Sequence, residues 1–186
     1  MLCFSFLNIS LHAQESTKPR ARNLGIPFAG TPGNFNSITD VPGLLVGYKT
    51  LIEGEGPLEP GKGPVRTGVT VILPKGKNND SYAAAWFNLN GDGEMTGIPY
   101  MEDYGTSSGA IGITNTYSVG VVRDAIGEWN FKNFSEKELI DFSFGLPVVA
   151  ETWDGLLNDI NGFHIKKEHV LEALMGHREV LLPKVM

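Results

Sequence analysis

The sequence predicts an α+β domain, a mixed β-sheet with helices laid over it, and three observations predict it. Short apolar, β-branched runs bounded by glycine and proline recur through the first part of the chain, as strands between tight turns do. The two segments with helical spacing both fall late. Strands that arrive before helices favour a layered α+β domain over an alternating parallel α/β fold. The 186 residues are enough for one core, and 23 glycines imply many tight connections.

In chain order, residues 1–13 read MLCFSFLNISLHA, apolar and uncharged, and Gln14-Glu15-Ser16 follows. This resembles the apolar region and cleavage end of a secretory signal, with small Ala13 before the cut, although the usual basic start is missing. The other reading is an ordinary buried segment. An exported protein, secreted or periplasmic, is expected. Cys3 is the only cysteine and would leave with the signal, which excludes disulfides and a cysteine nucleophile in the mature chain. Residues 14–35 are rich in Pro, Arg and Gly without a period and read as an extended N-terminal arm. The remainder, 36–186, reads as part of a single domain.

Residues 38–43 (ITDVPG) form a turn-rich entry, and 44–48 (LLVGY) read as the first strand. Residues 53–63 (EGEGPLEPGKG) are a loop on Gly and Pro content. A second strand is expected over 67–73 (TGVTVIL), then a polar turn over 74–80 and a third strand over 83–89 (AAAWFNL). Residues 91–97 (GDGEMTG) are a tight glycine loop.

The next stretch organises the chain. Ala110 to Thr114 suit a buried strand, and Val119, Val122, Ala125 and Ile126 lie on one face of a helix. Between them stand Asn115, Thr116, Tyr117 and Ser118. Ser118, or Thr116 if the helix starts earlier, would cap it. A rigid strand–turn–helix frame presenting polar side chains suits catalytic groups; a capped helix start is the plainer reading. A polar connection follows over 130–141. Residues 146–152 (LPVVAET) read as a fifth strand with Pro147 near its start, where the missing N–H is tolerated. Residues 153–164 form an irregular polar-aromatic turn and 168–175 a second helix. The tail carries apolar Val180, Leu181, Leu182 and Val185.

Fifteen basic and 21 acidic residues give a net charge of −6, which argues against nucleic acid or an anionic membrane as a main partner. No apolar run is long enough to span a bilayer.

Gly56 to Lys62 has the spacing of a phosphate-binding loop, but Gly63 stands where Ser or Thr would hold magnesium, and two prolines remove donors. Gly105-Thr106-Ser107-Ser108-Gly109 matches the G-x-S-x-G elbow of α/β-hydrolases, with Asp154, Asp159 and His164 in the matching order. That motif needs a strand before it and a helix after it, whereas a strand follows Gly109. The four histidines have no familiar metal spacing, so no metal and no cofactor are expected. Glu151, Asp154 and Asp159 are a candidate acid–base cluster, with local turn bonding the favoured alternative. Glu94, Glu102 and Asp103 suit a substrate with a free ammonium group, since such an ion pair is charge-assisted; a solvated acidic loop is the alternative.

Four segments together resemble the L-aminopeptidase/D-esterase family, which includes the β-peptidyl aminopeptidases. They are 61–70 (GKGPVRTGVT), 89–97 with Leu89-Asn90-Gly91 and Gly93 to Gly97, 113–124 with the I-T-N-T and S-V-G-V-V-R-D runs, and 147–164. They occur in the family's order within about residues 35–174.

The resemblance implies a four-layer αββα sandwich like that of N-terminal-nucleophile hydrolases, incomplete in this chain. It implies a precursor that cuts itself into α and β chains, and a nucleophilic N-terminal serine on the β chain whose own amino group serves as base. It implies short peptide, amide or ester substrates with a free amino end; the related ornithine acetyltransferases share the fold and transfer acyl groups instead. By the same resemblance Tyr117 helps to stabilise the oxyanion, Asn115 sits in the same turn, and Glu102 or Glu94 holds the substrate amine. The implied partners are the substrate, the β-chain part of the same precursor and further copies of the complete protein, without nucleic acid or membrane. The family's pattern continues past Met186 with a glycine-rich segment, an oxyanion asparagine and the cleavage-site serine. The chain is therefore expected to be most of an α subunit, inactive alone. A non-catalytic binding remnant and an α/β-hydrolase using Ser107 are the rival expectations.

Overall fold

The computed structural model describes residues 19–134 and 145–176. The signal-like segment, the start of the arm, residues 135–141 of the polar connection and the apolar tail lie outside the described residues. The chain divides into a small unit, 1–32 with 182–186, and a main unit, 33–181. Within the small unit the arm is not extended throughout. Ala21–Leu24 form a 3-10 turn closed by Gly25 at φ 79°, and the Arg22 guanidinium stacks 5.3 Å over the Phe28 ring.

The main unit is built on a four-stranded sheet. Strands β1 (Leu45–Glu53) and β2 (Val65–Leu73) pair antiparallel over their full length. Strand β5 (Ile111–Thr114) pairs antiparallel with β2 and parallel with β6 (Val148–Glu151), giving the order β1-β2-β5-β6. The sheet is mixed, as expected. A small ribbon of β3 (Tyr82–Ala83) and β4 (Thr106–Ser107) stands apart. Helix α1 (Ile98–Tyr104) precedes β4; α2 (Val119–Phe134) and α3 (Lys167–Met175) cover one face of the large sheet.

Alternation along β2 explains the layering. Val65, Val69, Val71 and Leu73 point to the helices and join Val122, Ile126, Val149, Val170 and Leu174 in one core. Burying each such side chain is worth about 1.5–3 kcal/mol. Strand β5 meets α2 at Gly112. A Cβ there would lie 2.8 Å from Val122 Cγ1 and 3.1 Å from Ile126 Cδ1 and Val149 Cγ2, so the helix rests on bare backbone.

The sheet's other face carries Ile111, Ile113 and Ala150, which with Tyr82, Met95 and Met101 line a cavity of about 420 Å³. Towards β1 the same face leaves Tyr48 and Ile52 exposed.

Three expectations need correction. The third strand, 83–89, is only Tyr82–Ala83; Ala84 N–H still reaches Gly105 O, but beyond it among the described residues the segment has no strand to pair with, and Phe87 and Leu89 stand exposed. Not every helix falls late: α1 precedes β5. It is short, starts with Pro99 in its first turn, and is bounded by Gly97 and Gly105 in left-handed conformations that glycine takes without strain. Helix α2 also runs into the supposed polar connection, because Glu128 and Lys132 pair at i,i+4 and Trp129 packs edge-on against Phe134.

Glu128 ties α2 to α3. It accepts from Lys132 at 2.6 Å and from Lys167 across the helix pair, and these two bonds bring its carboxyl down to about 2. The folded value lies below the unfolded one, so this stabilisation is present above the ordinary carboxylate range and fades as pH falls toward 2. We expect Glu128→Gln to lower the melting temperature near neutral pH, with the gap to wild type closing in acid. Thermal melts between pH 7 and 2 check this; a gap that stays constant means that the pairing does not help to hold α3.

Candidate active site

The carboxyl ends of the parallel strands β5 and β6 lie side by side, and the chain leaves each in a polar turn. Thr114 is fixed to both neighbours: its hydroxyl donates to Gly68 O at 3.0 Å, and its carbonyl accepts Thr152 N–H at 2.7 Å. Asn115 then opens a 3-10 turn, Thr116–Ser118, that runs directly into α2. No side-chain cap forms at Asn115. The Thr116 hydroxyl, one of the two expected caps, donates instead to Glu151 Oε1 at 3.1 Å.

Glu151 is thereby held from two sides. Its Oε2 accepts Glu94 N–H at 3.0 Å, and its own N–H donates to Glu94 O at 3.0 Å. The glycine loop and the turn after β5 therefore meet on one half-buried carboxylate.

A second network lies behind the turn. Asn115, 3% exposed, donates from Nδ2 to Thr67 Oγ1 at 2.8 Å, and Thr67 donates to Asp154 Oδ2 at 2.6 Å. Thr67 has one hydroxyl proton, so its bond to Asp154 fixes which end of the Asn115 amide faces it. Asp154 Oδ1 accepts Asn158 Nδ2 at 3.0 Å, and Asn158 Oδ1 accepts Arg66 N–H at 3.0 Å. Asp159, buried, accepts Gly61 N–H at 2.7 Å and lies 2.9 Å from His164 Nε2. Burial opposes the Asp159 charge, but the bonds from His164, Gly61 and Gly63 outweigh it and hold the carboxyl below its ordinary range.

These bonds settle several motifs. Asp154 and Asp159 bond across to β2 and the 54–64 loop as well as within the turn, where the turn reading expected local bonds alone. In the phosphate-loop lookalike, Gly61 N–H is committed to Asp159 and Lys62 to Glu59 at 2.7 Å. Ser107 sits in β4, buried, after a helix and before another strand, so the hydrolase elbow is not formed. Among the described residues no group of three His, Cys, Asp or Glu side chains is placed to hold a metal.

Of the residues singled out from the sequence, Asn115 and Tyr117 share the turn, and Glu94 bonds through its backbone to Glu151, which the turn's Thr116 also reaches. Tyr117 is half-exposed and stacks on Phe163, with ring centroids 5.2 Å apart. Glu102 is exposed on α1 and accepts from the Trp86 indole at 3.2 Å. In the sequence Glu151 stands in a cluster with Asp154 and Asp159. The signal that separates it is its place on the last residue of a strand, while the two aspartates lie in the turn beyond.

The model of peptidase family S58 matches residues 36–181. The chain is 54% identical over 167 residues to the β-peptidyl aminopeptidase BapA of Sphingosinicella microcystinivorans, covering 87% of this chain and 40% of that protein. It is 48% identical over 172 residues to BapA of Sphingosinicella xenopeptidilytica, covering 91% and 42%. The chain thus spans about two fifths of the length of these curated relatives.

Among solved structures, the L-aminopeptidase D-Ala-esterase/amidase of Ochrobactrum anthropi, described as a variant of the Ntn hydrolase fold, superposes with a TM-score of 0.77 at 41% identity, over 87% of this chain and 45% of that one. A β-aminopeptidase of Burkholderia sp. superposes at 0.72 with 43% identity, over 86% and 44%. The sheet, its helices and the turns after β5 and β6 all fall within the matched residues, and the chain belongs to peptidase family S58.

Proposed function

We propose that this chain is the α-chain part of a self-processing serine aminopeptidase that hydrolyses amides or esters of short substrates with a free amino end. The observation that carries the reading is Glu151, held at both oxygens where the turn after β5 meets the glycine loop. A fixed carboxylate that keeps some exposure suits a substrate ammonium, because little ordering remains to be done on binding. Glu94 belongs to the same pair, and Glu102 is the rival anchor. Tyr117 serves as the hydroxyl donor to the oxyanion, and buried Asn115 positions the turn through Thr67. The serine nucleophile comes from the β-chain part, whose oxygen attacks the carbonyl and releases the amine or alcohol; water then frees the acid. The complete protein works outside the cytoplasm, for which the signal-like residues 1–13 are the support; N-terminal sequencing of the exported form should begin near Gln14, and an intact Met1 would remove that support.

The test is a chimaera in which the part of the S. microcystinivorans enzyme that lies beyond the matched region follows this chain. The 186-residue chain alone should not turn over an amino-acid p-nitroanilide or a β-alanyl amide. The chimaera should cut itself and hydrolyse them. A folded chimaera that does neither favours a non-catalytic binding subunit. Turnover by the chain alone that Ser107→Ala abolishes would promote the α/β-hydrolase reading.

A further inference from the structure

Two residues past Glu151 stands a large aromatic side chain that the core does not use. Trp153 is 62% exposed, yet it is flanked on both sides by fixed residues. Thr152 donates to Thr114 O through its N–H at 2.7 Å and its hydroxyl at 3.3 Å, and Asp154 accepts from Thr67 at 2.6 Å. The ring itself lies on Gly155. A Cβ at position 155 would stand 2.9 Å from Trp153 Cζ2 and 3.0 Å from Cε2 and Nε1, so any side chain there would lift the indole away. Backbone and glycine together hold an exposed indole face at the carboxyl end of β6, in the segment that carries Glu151.

We propose that Trp153 is a specificity-determining contact of this site, its indole face packing against the amine-bearing end of the substrate while Glu151 takes the ammonium. The proposal rests on the reading of Glu151 as the ammonium anchor. Its chemistry is that of an exposed aromatic face two residues along the chain from a fixed carboxylate. The ring quadrupole attracts a cation, and the indole surface covers the methylene groups next to it. An exposed tryptophan with no such use would be a cost to solubility, and a mobile one would lose entropy on binding; the Gly155 support removes that second cost. Substrates that place an alkyl or aryl group next to the ammonium are therefore favoured over those with a bare ammonium end.

The test has a part that needs no catalysis. n-Butylammonium is titrated into the 186-residue chain, with tryptophan fluorescence as the readout and 1-butanol as the uncharged control. The expected result is a saturable change with the cation only, lost in Trp153→Phe; a change that Trp153→Phe retains would come from Trp86 or Trp129 and would overturn the assignment. By competition with a spin-labelled amine followed by NMR, Trp153→Phe should bind within a few-fold of wild type and Trp153→Ala about tenfold more weakly. Gly155→Ala, which keeps the indole but displaces it, should weaken binding to a similar degree. In the chimaera, Trp153→Ala should raise KM for amine-bearing substrates with little change in kcat.

Glu151→Gln separates the two ideas. If Glu151→Gln weakens binding while Trp153→Ala and Gly155→Ala do not, this inference is wrong and the amine site stands. If Glu151→Gln leaves binding unchanged, the amine-site reading fails and takes this inference with it. Should Trp153→Ala not fold, Gly155→Ala decides alone.

Discussion

Tyr117→Phe in the active chimaera is expected to lower kcat a few hundred-fold while barely changing KM. A preorganised donor aimed at a developing oxyanion is worth about 3–4 kcal/mol, and it acts on the transition state rather than the bound substrate. The ring that remains keeps its stack on Phe163, so the melting temperature should hardly move. Steady-state kinetics with a p-nitroanilide, beside a thermal melt, checks both halves. Full activity would leave Tyr117 as a packing residue for Phe163. Phe163 is itself one of two described non-glycine residues at positive φ, at 50°, next to the Asp159–His164 contact that braces the turn.

Much of the frame was legible from the residues because the two central strands, β2 and β5, alternate. β2 buries every second residue without exception, and Val119, Val122, Ala125 and Ile126 are all buried on α2. What failed were elements whose limits are set by partners. The 83–89 run has strand composition, but a strand exists only where another strand bonds to it, and beyond Ala84 among the described residues none does. Helix α1 has no long period to detect, and its ends are set by two glycines.

The site was legible in type and less so in membership. Asn115, Thr116 and Tyr117 stand out as a polar turn between two apolar elements. That Glu151 belongs with them follows from a parallel pairing, Thr114 beside Glu151, which joins residues far apart in sequence and leaves no local mark. Asp154 looks like the same kind of group as Glu151 one turn on, yet its oxygens are taken by Thr67 and Asn158.

The three candidate anchors give the second large effect. Glu151→Gln in the chimaera should cost about 2–5 kcal/mol in kcat/KM for an amine-bearing p-nitroanilide, the usual loss when one partner of a hydrogen-bonded charge pair is removed. The same change should cost much less for the analogue without the amine. The comparison matters because glutamine has one carbonyl oxygen where Glu151 uses two, so either Thr116 or Glu94 N–H loses its acceptor. That structural cost falls on both substrates alike, and their ratio isolates the charge. Glu94→Gln should have a smaller effect on the ratio, since Glu94 meets Glu151 through backbone groups. Glu102→Gln should leave the ratio unchanged, because its tie to the Trp86 indole needs only an acceptor. A ratio that moves with Glu102 alone would place the ammonium on α1 and reduce Glu151 to a clamp between two loops. A ratio that moves with none of the three would show that the free amine is recognised elsewhere.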